Sequence, residues 1–325
     1  MTICNVCESD RVEYMSTLRP YQDVDWEFAI FSCLNCGSRF TFRDPGVNYY
    51  EILHGVSGSS YGYHYDMAGK VKKFLRAGHL DRCERYLRKA GYKYAEVIDF
   101  VRGKNKPLSI LEIGCSTGVM TAFFRAHGHG AEGIDISQKA IDYATSTFGP
   151  FYSLNPSRER YDIIFHLGLI GCVENPKTFL SGFLQRLDTR GEMIFNAPNV
   201  RSAEELDEVW VTTPPPDLIS LFREEAFRSM CGDSADVAIR KVYGASEIAK
   251  KNIRVLTGRK YAHFPISFRT NRREGKGRIF SCIKGCLGTS SWSLAGMLWS
   301  LRLFKRYENE YGLIVVMTRK STGEI

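Results

Sequence analysis

The stretch Leu111-Glu112-Ile113-Gly114-Cys115-Ser116-Thr117-Gly118 constrains this chain more than any other. Ile110, Leu111 and Ile113, interrupted only by Glu112, run into a glycine turn, and Val119 to Ala126 follow with helical spacing. A strand, a tight turn and a helix start present bare backbone N–H groups to a nucleotide-like ligand. After Gly128-His129-Gly130, a second apolar strand from Ala131 to Ile136 carries Asp135 near its end, 21 residues past Gly114. At that offset an acid reaches ribose hydroxyls.

A dinucleotide fingerprint needs three glycines as G-x-G-x-x-G, whereas this turn has Ser116 between Gly114 and Gly118. Glu112 inside the strand is ill-suited to a pyrophosphate and suits a ligand that carries an amino group. Together with Gly133-Ile134-Asp135-Ile136-Ser137, the turn resembles the class I S-adenosylmethionine-dependent methyltransferases. Their first motif reads (V/L)-(L/D)-(E/D)-(I/V/L)-G-(C/A/S)-G-(T/S)-G and their second ends in G-(I/V)-D-(I/P/L)-S. Ser116 stands where that family usually has glycine and, being the next smallest residue, is expected to keep the turn. The resemblance implies a cofactor site of Glu112, Gly114, Cys115, Ser116, Gly118, Asp135, Ile136 and Leu167, closed by Tyr61 and Tyr63.

Strands and helices alternate from there. Ser137 caps a helix to about Phe148, a short third strand is expected at Pro150 to Leu154, and Tyr161 to His166 is a buried strand. Pro176 opens the next helix as an N1 proline, Arg190-Gly191 ends it, and Glu192 to Ala197 is the fifth strand. A helix ending at Phe227 to Met230, a strand from Ala238 to Tyr243 and a last strand from Gly312 to Thr318 complete the pattern. The alternation predicts an α/β fold, a doubly wound, mostly parallel sheet; the resemblance implies that it is Rossmann-like.

Ahead of this core, Cys4-x-x-Cys7 and Cys33-x-x-Cys36 form two knuckles 25 residues apart, with aromatic and β-branched residues between them. Such spacing suits a zinc ribbon, residues 1–43, whose closed four-thiolate site holds Zn2+ structurally. The six other cysteines lack that pairing, and ten cysteines without an export signal point to a reducing, cytoplasmic setting. Residues 44–105 comprise an aromatic, glycine-hinged lid (Tyr49, Tyr50, His54, Tyr61, Tyr63, His64, Tyr65), then two helices with solvated basic faces between Met67 and Arg102. An ordered connector packed on the core is the alternative to a lid.

The core is bounded at 106–243, an insert occupies 244–311, and 312–325 return as the final strand and tail. Between Lys250 and Arg278, ten Lys/Arg against Glu274 leave a balance of +9, so against the overall +8 the rest of the chain is about −1. The uncharged run Gly285–Leu301 has 17 residues, short of the ~20 of a spanning helix. Residues 250–304 can instead pack on the core or on a second subunit, or lie at a membrane interface, making the protein peripheral at the inner membrane face.

Val173-Glu174-Asn175-Pro176 and Tyr161-Asp162-Ile163-Ile164 resemble methyltransferases of sugar, polysaccharide and natural-product pathways, which often carry H-V-L-E-H between two such segments. Here Gly168-Leu169-Ile170-Gly171-Cys172 stands in its place, so that family's base does not carry over. An alcohol acceptor needs a base. His166 at the strand tip is the first candidate, with His64, Glu174 and Cys172 behind it. The proline run Thr213 to Asp217 is expected to wall the acceptor site. The readings are methyl transfer to a hydroxyl of a saccharide or small metabolite, free or carrier-linked; an RNA methyltransferase, disfavoured by the near-neutral remainder; and a non-catalytic binding partner.

Overall fold

The computed structural model describes residues 2–20, 25–44, 61–205, 209–210, 213–242 and 312–320. Tyr49, Tyr50 and His54 of the expected lid and the insert 244–311 lie outside the described residues, as do the side chains of Tyr61 and Tyr63.

The N-terminal segment forms β1 (Val12–Leu18), β2 (Phe28–Cys33) and β3 (Arg39–Phe40), paired antiparallel. Three helices follow where two were expected: α1 (Tyr61–Arg76), α2 (Leu80–Ala90) and α3 (Tyr92–Arg102). Gly78 at φ +69° interrupts the periodic pattern, because left-handed backbone there is costly for a side chain, and Gly91 in extended backbone separates α2 from α3.

The core contains β4 (Ser109–Ile113), α4 (Val119–Ala126), β5 (Gly130–Ile134), α5 (Gln138–Phe148), β6 (Tyr152–Ser153) and β7 (Tyr161–Leu167). It continues with α6 (Pro176–Leu184), β8 (Leu187–Pro198), α7 (Val200–Glu205), β9 (Ser220–Leu221), α8 (Glu224–Cys231), β10 (Ala235–Val242) and β11 (Gly312–Arg319). Ser137 caps α5 by accepting from Ala140 N at 3.3 Å, and Asn175 caps α6 ahead of Pro176. β8 starts earlier than the polar Asp188 to Gly191 suggested, because a register shift against β7 absorbs those residues in the strand.

Seven strands form one sheet in the order β10-β11-β8-β7-β4-β5-β6. The five from β8 to β6 run parallel, and β10 and β11 are antiparallel. The order reverses between β4 and β7, so their carboxyl ends frame the cleft where ligands bind in open α/β sheets. The expected doubly wound α/β class is what the structure shows.

Apolar residues cover both sheet faces, with Ile110, Phe123 and Phe165 on one and Leu111, Ile164 and Phe195 on the other. The N-terminal segment is not a free-standing module: β3 pairs with β9 of the core, giving a second sheet β1-β2-β3-β9. Phe28 and Ile30 pack there with Val200, Trp210 and Leu218.

Candidate functional site

At the end of β4 the chain turns through Gly114 (φ +68°), Ser116 (φ +48°) and Gly118 (φ +79°). Ser116 occupies left-handed backbone that glycine adopts without steric cost, which explains the preference at that motif position. Two contacts hold it. Asp135 Oδ2 accepts from Ser116 N at 2.9 Å, and Cys115 N donates to Ile134 O at 2.9 Å, so the turn is stitched to the end of β5. Asp135 Oδ1 accepts from Ser137 N at 2.9 Å, which aims the carboxylate along the cleft edge with lone pairs left for hydroxyl donors. The adjacent Ile136 is 75% exposed, an apolar surface where a flat base would rest.

Gly118 begins α4, and Tyr152 OH donates to its carbonyl at 2.7 Å. A Cβ on Gly118 would lie 2.6 Å from the Tyr152 ring. Gly133 is equally tight, with Cys115 Cβ 2.7 Å from where its own Cβ would stand. Cys115 is buried, and burial pushes its thiol up, so it packs rather than reacts.

Glu112 is buried, and Oε2 accepts from Thr121 N at 2.8 Å and Thr121 Oγ1 at 2.6 Å. Burial pushes its carboxyl up to about 7 against those two hydrogen bonds. One oxygen is therefore committed to α4, leaving Oε1 as the carboxylate oxygen not bound there for a ligand amine. Leu169, after β7, lies 3.2 Å from where a Cβ of Gly114 would stand and covers the turn. Leu167 is partly buried on the face packed by α1 to α4. α1 approaches the turn from above: Thr117 Oγ1 donates to His64 O at 3.4 Å, and Tyr65 packs edge-on against Tyr143 at 4.6 Å.

His166 does not reach the cleft. Side chains alternate faces along a strand, and in β7 His166 shares parity with Ile164, not with Leu167. Its ring is fully buried, stacked on Phe195 at 4.5 Å and edge-on to Phe179. Among the described residues neither ring nitrogen has a hydrogen-bond partner, and burial lowers its pKa to about 3. A ring sealed there cannot take a proton from a substrate, which corrects the expectation from the sequence. Glu174 is largely exposed and paired with Arg43 at 3.7 Å.

Reading by sequence missed Arg43. It donates to Pro216 O at 2.6 Å, Cys172 O at 3.0 Å and Asp217 O at 2.9 Å, tying the proline run to the loop after β7. Ile219 N donates to Gly171 O at 2.8 Å, which closes the same wall. Lys93, on α3, was also missed: its Nζ lies 3.4 Å from where a Cβ of Gly168 would stand, at the end of β7. Neither has a local signature, since each is one basic residue among many.

The four ribbon cysteines converge. Their Sγ atoms all lie within 4.8 Å of one another, with Cys4–Cys36 at 3.8 Å and Cys7–Cys33 at 3.6 Å. Zinc–sulfur bonds of about 2.3 Å in a tetrahedron set the sulfurs about 3.8 Å apart, so this donor set fits the ion. Val6 N donates to Cys4 Sγ and Cys36 N to Cys33 Sγ, hydrogen bonds that favour thiolates.

Residues 86–236 match the sequence model of a family described as a methyltransferase domain, somewhat under half of the chain. No curated protein matches the chain. Among solved structures, the plantazolicin methyltransferase BpumL in complex with SAH is 18% identical, covering 67% of this chain and 78% of that one, with a TM-score of 0.39. N-methyltransferase NodS from Bradyrhizobium japonicum WM9 in complex with S-adenosyl-L-homocysteine is 10% identical, covering 67% and 81%, with a TM-score of 0.36. Residues 86–236 thus match a methyltransferase domain, and the cleft at the strand ends of β4 and β7 lies within that match.

Proposed function

We propose that this methyltransferase takes its methyl group from S-adenosylmethionine and passes it to a hydroxyl of a saccharide or small metabolite. One observation carries the donor reading: Asp135, pinned by Ser116 N–H and Ser137 N–H, stands beside the open face of Ile136 and the Gly114–Gly118 turn. Asp135 would hold the ribose, Ile136 the base, and Oε1 of Glu112 with the turn the amino-acid end. The donor, when bound, supplies an electrophilic methyl carbon on a positively charged sulfur. The chain's own task is to align the acceptor with it, exclude water and take the acceptor's proton.

The wall held by Arg43 bounds the acceptor side. The insert bears on the acceptor as well. Its attachment points, Val242 and Gly312, pair with each other, and Gly312 stands opposite Pro198 at the carboxyl end of β8, the cleft side of the sheet. A segment of +9 leaving from that edge suits an anionic carrier on the acceptor, such as a nucleotide or lipid phosphate. Among the described residues no helix is long and apolar enough to cross a membrane. The ribbon would hold a structural Zn2+ and brace β9.

Calorimetric binding of S-adenosylmethionine tests the donor reading. Asp135→Ala is expected to weaken it at least tenfold, since hydrogen bonds to a charged group contribute about 1.5–3 kcal/mol. Full affinity in that variant would refute the assignment. Methyl release assayed with nucleotide sugars, and with RNA at rising salt, tests the acceptor: turnover on RNA with a steep salt slope would overturn the hydroxyl-metabolite reading.

A further inference from the structure

The reaction proposed above needs a proton acceptor, and of the groups favoured by sequence His166 is sealed in the core and Glu174 is exposed and paired. Lys93 stands in the first turn of α3 with its Nζ against the backbone of Gly168. The next residue, Leu169, covers Gly114, so the amine lies in the cleft framed by the ends of β4 and β7. The titratable groups that sense its charge come from three elements: His64 on α1, Glu112 on β4 and Cys172 after β7. Burial loosens its proton, with Cys172 and Glu112 opposing that effect in part.

We propose that Lys93 is the base for the acceptor hydroxyl and that the donor's own positive charge makes it competent. The proposal rests on the S-adenosylmethionine reading. Lys93 Nζ, uncharged, takes the proton the hydroxyl loses as its oxygen bonds to the methyl carbon. The carbon–sulfur electron pair leaves with the sulfur as a neutral thioether, and the lysine ends as ammonium. A unit charge arriving in a mostly buried cleft lowers a neighbouring amine's proton affinity about tenfold or more. Donor binding therefore expels the lysine's proton, and loss of the sulfonium charge on methyl transfer restores the amine's affinity for one.

Proton counting by titration calorimetry of the full chain, in buffers of different ionisation heat at about pH 8–9, tests this without knowledge of the acceptor. S-adenosylmethionine is expected to release a fraction of a proton that S-adenosylhomocysteine, which lacks the charge, does not. Lys93→Met and Lys93→Arg should abolish that difference, while His64→Asn should retain it. Equal proton release with the two ligands on the unaltered protein overturns the proposal, whether or not the variants fold. So does a difference that survives Lys93→Met or vanishes with His64→Asn alone. Failure of both ligands to bind would instead overturn the donor reading, and the base proposal with it, so the two failures look different.

Discussion

Replacing Gly118 by alanine perturbs the turn in two separable ways. Gly118 sits at φ +79°, where a side chain costs roughly 1–2 kcal/mol. The added Cβ would also stand 2.6 Å from Tyr152, whose ring packs with Cys115, Ile141 and Ala144 and cannot retreat freely. Overpacking of that kind costs about 1–3 kcal/mol. Loss of glycine's unfolded-state freedom returns roughly 0.5–1 kcal/mol, leaving a net destabilisation of about 1–4 kcal/mol. Urea denaturation with an unchanged slope measures it. Gly182→Ala is the control, because that residue is exposed on α6 with nothing within 4 Å of its would-be Cβ, and it should stabilise by about 0.5–1 kcal/mol. In Gly118→Ala/Tyr152→Ala the steric part should vanish and the conformational part remain, so the two changes would be non-additive. A Gly118→Ala protein within about 0.5 kcal/mol of the parent would refute this account of the turn.

His166 enters the folded protein neutral, with its pKa lowered by burial to about 3, while the unfolded chain titrates near 6.5. The unfolded state therefore binds the extra proton as pH falls below that value. Stability should drop by roughly 2 kcal/mol between pH 7 and pH 5 on this account, and His166→Phe should flatten the profile and hold or raise stability at pH 7. With the proposed structural Zn2+ on the four cysteines, chelator treatment or Cys33→Ser should expose the β3–β9 seam to limited proteolysis and weaken the wall at Pro216 while leaving donor affinity nearly unchanged; loss of both together would show the N-terminal segment holding the donor half as well. Arg43→Leu strands three carbonyls, so it should destabilise by several kcal/mol and, in protein that remains folded, raise the acceptor KM more than the donor Kd; an unchanged KM would remove Arg43 from the acceptor side.

The sheet was legible in the chain because its signals are local. Apolar runs, the Ser137 and Asn175 caps and Pro176 each act within a few residues, so they survive without knowledge of partners. The Gly114–Gly118 turn and Asp135 were legible for a related reason: backbone conformation and one fixed offset specify them. The helix count between Met67 and Arg102 was harder, because Gly78 and Gly91 break the pattern at sites where an intact helix would have shown the same apolar spacing.

What the sequence determined by itself is the turn and acid of the proposed donor half, since a left-handed turn and an acid at a strand tip can be read from residue type and spacing. Tertiary structure alone decided which residues border the proposed acceptor side. Strand parity turned His166 into the core, and packing of α3 on β7 brought one lysine out of a basic run to Gly168. Pairing of β3 with β9 carried Arg43 across more than a hundred residues of chain to the proline run. Contacts of that separation leave no pattern in neighbouring residues, because either partner alone looks like an ordinary surface charge.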